Sequence, residues 1–154
     1  MARRLGLPFL DFDEEIVRRE GASVPEIFEQ RGEGGFRELE RALTLELRGA
    51  PPTVLAPGGG WMVQPGLAKL LRPPSTIVYL SISPAAAVAR LGDSVATRPL
   101  LGGGSALDAM VRLHSGRHGV YCGADLVLDV EHVDLQEVIN KLVQVVSPGG
   151  YALG

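Results

Sequence analysis

Short apolar runs alternate along the chain with longer segments in which apolar positions recur every three or four residues. Runs of about four to eight apolar and β-branched residues indicate buried strands, whereas recurrence at helical spacing indicates amphipathic helices. Strands are predicted at residues 8–12, 53–56, 76–82 and 124–130. Helices are predicted at 1–7, 13–20, a short stretch between Ser23 and Gly32, 36–47, 65–71, 84–91, 105 to about 115, and 134–146.

The order of these elements indicates the fold class. Strands that alternate with helices form a parallel sheet with crossover helices on both faces. We therefore expect an α/β fold of three layers around a parallel sheet. We expect one domain over residues 1–147, followed by a flexible tail at 148–154. The first helix has no starting cap, so we expect the chain to begin within an element.

Three consecutive glycines, Gly58, Gly59 and Gly60, follow the second predicted strand. Because glycine has no Cβ atom, a ligand can lie directly against the backbone N–H groups of such a segment. The simpler interpretation of three glycines is a flexible turn. Both interpretations place the segment at the carboxyl end of a strand, where ligands bind in open α/β sheets.

Composition excludes several classes of protein. Hydrophobic residues make up 45% of the 154 residues and charged residues 21%, which is typical of a globular domain rather than a disordered chain. The net charge of −3 gives no electrostatic signature of nucleic-acid or anionic-membrane binding. No apolar run is long enough for a membrane span, and the single cysteine, Cys122, fits a reducing compartment. We expect a cytoplasmic monomer.

Acidic and basic residues fall at the ends of the predicted elements. Asp11 and Asp13 follow the first strand, where they could equally be a turn and a helix cap. Arg37 and Glu40 lie three residues apart on a predicted helix and, taken alone, would form an ordinary surface pair.

The segment 93–104 has no periodicity and contains Arg98 and three glycines, Gly102, Gly103 and Gly104. Such a segment favours a mobile lid. Arg98 and Arg117, considered by themselves, would be solvated arginines in loops.

Five motifs follow one another along the chain: LPFLDFDEEI at 7–16, SVPEIFEQRGEGGFRELE at 23–40, APGGGWMVQPG at 56–66, RPLL at 98–101 and SGRHGVY at 115–121. In order and spacing they resemble the motifs of the shikimate kinases. The resemblance implies a nucleoside monophosphate kinase-like P-loop fold. It also implies ATP-dependent phosphorylation of a shikimate hydroxyl, in aromatic amino-acid (chorismate) biosynthesis.

The resemblance implies a role for each candidate residue. Arg37 and Arg117 match the arginines that bind the substrate carboxylate, and Asp13 matches the aspartate that binds the ring hydroxyls and orients or deprotonates the attacking one. Gly58, Gly59 and Gly60 match the substrate-binding glycine loop. Arg98 matches the lid arginine at the phosphates of ATP, Asp11 matches an acid near Mg²⁺, and Glu40 matches a neighbour that fixes Arg37.

The chain departs from the family in one motif. The phosphate-binding pattern GxxxxGK[ST] occurs nowhere in the sequence. We therefore expect an N-terminally truncated domain without its first strand and phosphate loop, inactive as it stands. Loss of that strand would leave its neighbours in the sheet without hydrogen-bond partners.

Two other functions remain as alternatives. A non-catalytic module that binds or senses a small carboxylate would not need the phosphate loop. A related small-molecule kinase such as gluconate kinase is disfavoured by the pairing of FRELE with GGG. For the leading function, the expected small molecules are shikimate, ATP and Mg²⁺.

Overall fold

The computed structural model describes residues 1–101 and 104–146. Within these residues the helices are α1 (Ala2–Leu5), α2 (Phe12–Glu20), α3 (Val24–Glu46), α4 (Leu67–Leu71), α5 (Pro84–Leu91), α6 (Ala106–Tyr121) and α7 (Leu135–Val146). The strands are β1 (Phe9–Asp11), β2 (Val54–Ala56), β3 (Val78–Ser81) and β4 (Leu126–Asp129). Two 3₁₀ turns, Gly92–Thr97 and Pro99–Leu101, lie between α5 and α6.

All strand pairs in the described residues are parallel. β1 pairs with β2, with Phe9 opposite Val54, and β3 pairs with β4, with Val78 opposite Leu126. The α/β class with parallel strands is thus confirmed. The strands form two separate two-stranded sheets, and β2 and β3 are not hydrogen-bonded to each other in this part of the chain.

Each sheet has its own hydrophobic cluster. The first cluster packs side chains of α2, α3 and α4 together with Trp61, and Leu10 and Leu55 of the strands pack against it. The second consists of Val130, Val138 and Leu142, with side chains of β3 and β4 packed on them. A two-stranded sheet is marginal alone, so each pair depends on the helices that cover it.

Local signals in the sequence account for most helix boundaries. Ser23 and Glu26 form the reciprocal capping box that starts α3, and Ser83 caps α5 through the N–H of Ala86. Gly32 interrupts α3 with φ 67°, a left-handed conformation that glycine adopts without steric cost. The predicted break there is confirmed, although the helix resumes before Gly35 rather than after it.

Two further predictions are wrong. The helix predicted to end near Ser115 continues to Tyr121, through Gly116 and Gly119. The segment from 93 to 101, predicted to lack regular structure, forms the two 3₁₀ turns instead. Gly102 and Gly103 lie outside the described residues, as does the predicted tail at 148–154. None of the helices that the structure describes has the length and apolar character needed to cross a membrane.

Candidate active site

A cavity of about 800 Å³ opens at the carboxyl ends of the strands. Residues that follow β1, β2, β3 and β4 all contribute to its wall, together with side chains of α3, α5 and α6. Eight of the nine residues singled out from the sequence line it: Asp13, Arg37, Glu40, Gly58, Gly59, Gly60, Arg98 and Arg117. Asp11 does not. The structure therefore brings together side chains that are more than a hundred residues apart in sequence.

Asp11 and Asp13 occupy the start of α2. Asp11 Oδ1 accepts hydrogen bonds from the backbone N–H of Asp13 at 2.9 Å and of Glu14 at 3.2 Å, so Asp11 is the N-cap of the helix. Asp13, two residues later, lines the cavity. Burial raises the pKa of Asp13, and the neighbouring charge of Asp11 raises it further, against the opposing effects of Arg98 and Arg37.

Arg37 is held by two carboxylates of its own helix. Its Nη1 lies 2.7 Å from Glu40 Oε2, and its Nη2 lies 2.8 Å from Glu33 Oε1. Glu40 has no exposed surface, which excludes the interpretation of Arg37 and Glu40 as a surface pair. Burial raises the pKa of Glu40, and its hydrogen bond to Arg37 opposes that rise. The arrangement fixes the guanidinium at the cavity wall.

The three glycines lie against the charged side chains of the cavity. A Cβ atom on Gly60 would collide with the guanidinium of Arg37, and one on Gly58 would lie 3.6 Å from both Asp13 Oδ1 and Glu40 Oε1. A Cβ atom on Gly59 would lie 3.2 Å from the hydroxyl of Tyr121. Close packing therefore disfavours a side chain at Gly60 most strongly, whereas a Cβ atom on Gly58 would be in ordinary van der Waals contact.

Arg117 reaches the same segment from α6. Its Nη1 lies 3.9 Å from the position of a Cβ atom on Gly59. One turn further along the helix, the hydroxyl of Tyr121 donates a hydrogen bond of 2.7 Å to the carbonyl of Gly59. Arg117 is therefore a helix residue beside the glycine segment and not a loop residue.

Arg98 lies between the two 3₁₀ turns, and its backbone N–H bonds the carbonyl of Val95. The side chain is exposed at the rim of the cavity. Its charge nevertheless acts on Asp13, whose pKa it lowers. The lid motion predicted for this segment stays a prediction.

Two site contacts were not predicted from the sequence. Tyr121 belongs to the motif SGRHGVY at 115–121. Because the helix was predicted to end near Ser115, the sequence did not indicate that Tyr121 and Arg117 lie on the same face of one helix. Gln64 donates a 2.7 Å hydrogen bond to Glu40 Oε2, and no local pattern marks it. Trp61, next to the glycines, is 3% exposed and packs edge-on against Phe12.

Comparison with known proteins identifies the family. The family model for shikimate kinase matches residues 1–147. The chain belongs to the shikimate kinase family. A shikimate kinase from Paracidovorax citrulli is 45% identical over 123 residues, which cover 79% of this chain and 67% of that protein. A shikimate kinase from Geobacter sulfurreducens is 38% identical, covering 92% and 78% of the two chains.

Solved shikimate kinases share the fold. The structure from Acinetobacter baumannii, determined in complex with shikimate, superposes with a TM-score of 0.88 at 32% identity and covers 94% of this chain and 81% of that one. The structure from Bacteroides thetaiotaomicron gives 0.83 at 27% identity, covering 96% and 88%. The resemblance inferred from the five motifs is confirmed, and with it membership of a family of phosphotransferases that adopt the P-loop kinase fold.

Proposed function

We propose that this chain binds shikimate in the cavity at the strand ends and carries the acceptor half of a shikimate kinase site. The observation that supports the proposal is the convergence of Arg37, Arg117 and Asp13 on the glycine segment. A cyclic polyol that bears a carboxylate needs cations at one end and a carboxylate acceptor at the other. The cavity supplies both types of group.

Each side chain has a role that its chemistry allows. The guanidinium groups of Arg37 and Arg117 would bind the substrate carboxylate by charge-assisted hydrogen bonds. Asp13 would accept a hydrogen bond from the attacking hydroxyl and take its proton as that oxygen bonds to the γ-phosphorus of ATP, whose bond to ADP breaks so that ADP leaves. The upward shift in the pKa of Asp13 makes that carboxylate a better proton acceptor.

Arg98 would act at the phosphates. From the rim of the cavity its guanidinium can approach both Asp13 and an anion bound above it. A cation in that position would stabilise the negative charge on a phosphoryl group during its transfer.

ATP and Mg²⁺ are the partners that the family implies. Nucleotide-bound Mg²⁺ takes one or two protein carboxylates, and Asp11 fits that need because an N-cap carboxylate keeps lone pairs beyond those given to the helix. Mg²⁺ would neutralise charge on the phosphates during transfer. The sequence contains no GxxxxGK[ST] segment to cradle those phosphates, so we assign no ATP contact other than Arg98.

Isothermal titration of the purified chain with shikimate tests the carboxylate site. Arg117→Ala should weaken shikimate binding by roughly 2 kcal/mol, the scale of a charge-assisted hydrogen bond. Arg112→Ala is the matched control, because Arg112 is an exposed residue of the same helix that does not line the cavity. Equal affinity of both variants for shikimate would contradict the proposed role of Arg117.

A second candidate is a module that binds the carboxylate without transferring phosphate, because Arg37 and Arg117 line the cavity and would bind a carboxylate without any nucleotide. Titration with Mg·ATP separates the two functions. Binding of both ligands, with formation of ADP when they are mixed, supports the kinase. Binding of shikimate alone supports the non-catalytic module.

A further inference from the structure

A buried carboxylate lies beneath the glycine segment, and its two oxygens have different surroundings. Glu40 Oε2 accepts hydrogen bonds of 2.7 Å from Arg37 Nη1 and of 2.7 Å from Gln64 Nε2. Glu40 Oε1 has no hydrogen-bond partner in the described residues. It lies 3.6 Å from the position of a Cβ atom on Gly58, so the unpartnered oxygen faces the cavity wall.

Gln64 is itself fixed by the turns that follow the glycines. Its backbone N–H bonds the carbonyl of Trp61 at 3.2 Å, and its carbonyl accepts from the N–H of Leu67 at 3.2 Å. The indole N–H of Trp61 donates to Thr44 Oγ1 at 2.8 Å. The segment after the glycines is thus attached to α3 at Glu40 and, one helical turn later, at Thr44.

We propose that Gln64 is a positioning residue for the substrate site. By donating to Oε2, Gln64 orients the Glu40 carboxylate. Oε2 then accepts from both Gln64 and Arg37, and Oε1 is left free to face the ligand cavity. Arg37 is then held in place to bind the substrate carboxylate. The part of the inference that concerns the substrate rests on the proposed function, with shikimate as the ligand.

Gln64 can affect Arg37 through Glu40 because a buried carboxylate with too few hydrogen-bond donors is unfavourable in free energy. Glu40 is fully buried, and the ionised groups that act on it are Arg37 on its own helix and Asp13 on α2. A carboxylate that loses one of its two donors in such a place takes up a proton more readily. A protonated Glu40 would hold Arg37 less firmly, because the ion pair would be lost.

The first test measures the titration of Glu40 by carbon NMR of labelled carboxyl groups. Gln64→Met keeps the length of the side chain and removes the donor. It should raise the pKa of Glu40 above its wild-type value, whereas Gln136→Met, at an exposed position on α7, should leave it unchanged. An unchanged pKa in Gln64→Met overturns the proposal, whether or not the chain binds shikimate.

The second test measures shikimate affinity by calorimetry at several pH values. Gln64→Met should weaken binding roughly tenfold near neutral pH, which corresponds to the loss of one hydrogen bond to a charged group. The loss of shikimate affinity in Gln64→Met relative to wild type should become smaller as the pH rises and Glu40 of the variant ionises again. A loss of packing alone would give a deficit that does not depend on pH, and that result overturns the positioning role.

The two tests also separate the two proposals. If wild-type protein fails to bind shikimate, the proposed function is wrong, and the titration of Glu40 alone decides whether Gln64 orients it. If wild-type protein binds shikimate and Gln64→Met binds it equally well, the positioning role is wrong and the proposed function stands.

Discussion

Gly60 packs so closely against the guanidinium of Arg37 that a Cβ atom at position 60 would force the guanidinium to move. The guanidinium of Arg37 fills the place that any side chain at position 60 would need, and Glu33 and Glu40 hold that guanidinium in place. At the scale of single residues, the glycine therefore acts on the substrate site through the position of an arginine.

We expect Gly60→Ala to weaken shikimate binding by roughly 1–3 kcal/mol, because overpacking would displace Arg37 from its carboxylate partners. Calorimetric titration measures the change. Gly34→Ala is the control, since a Cβ atom on Gly34 would meet nothing within 4 Å. Unchanged affinity in Gly60→Ala would show that the guanidinium finds another position without loss.

The elements of the site are tied to one another by a few long-range contacts. α6 reaches the glycine segment through the Tyr121 hydroxyl, and α2 reaches α3 through Arg19, which bonds both Glu15 and Glu46. Each of these contacts can be removed by a change of one or two atoms.

Tyr121→Phe removes only the hydroxyl that bonds Gly59. We expect faster amide hydrogen exchange at Gly60 and Trp61 and a loss of about 0.5–1.5 kcal/mol in shikimate binding. Tyr79→Phe provides the comparison, because the Tyr79 hydroxyl has only a 3.5 Å contact with His114. Exchange rates that match in the two variants would contradict a role for the Tyr121 bond.

The ion pairs that Glu15 forms with Arg18 and Arg19 within α2 should give a signature in acid. Hydrogen bonds from Arg18 and Arg19 lower the pKa of Glu15 to about 2, from 4.5. A lowered pKa means that ionised Glu15 stabilises the fold above pH 4.5 and that this stabilisation is lost as the pH falls toward 2.

The free energy of unfolding, measured in urea as a function of pH, checks this. Glu15→Gln should be less stable than wild type at neutral pH, and the difference should vanish in acid. For Glu29→Gln, a substitution at an exposed position on α3, the difference in stability from wild type should not depend on pH in this way. Because Arg18 and Arg19 are exposed to solvent, added salt should reduce the difference.

The sequence was sufficient for the elements whose signals are local. Apolar runs located all four strands, and Ser23, Ser83 and Gly21 marked helix ends where the structure has them. α6 was predicted too short because Gly116 and Gly119 each disfavour a helix by about 1 kcal/mol, and packing against α5 outweighs that cost.

The site could be predicted in part for the same reason. Asp13, Arg37, the glycines and Arg117 stand in motifs that can be recognised along the chain. The bonds of Tyr121 to Gly59 and of Gln64 to Glu40 join residues 62 and 24 positions apart. Contacts at that separation depend on tertiary packing and leave no local pattern.

At the scale of the whole molecule, the two hydrophobic clusters should behave as partly independent units. β1 and β2 depend on one cluster, and β3 and β4 on the other. We expect Leu142→Ala to cost roughly 2–5 kcal/mol and to accelerate hydrogen exchange mainly in β3 and β4. Leu43→Ala should do the same mainly in β1 and β2. Equal acceleration in all strands by either variant would show a single cooperative unit.

Because the two sheets are separate, the melting curve of this protein should indicate which of the two units a bound molecule contacts. Arg37 and the glycines belong to one unit, whereas Arg117 lies on a helix that follows the other sheet's first strand. A molecule that spans both arginines should raise the melting temperatures of both units together, because binding favours the folded form of each. A fragment that contacts only one of the two arginines should raise only one melting temperature, so calorimetric scanning would report which arginine an inhibitor fragment contacts.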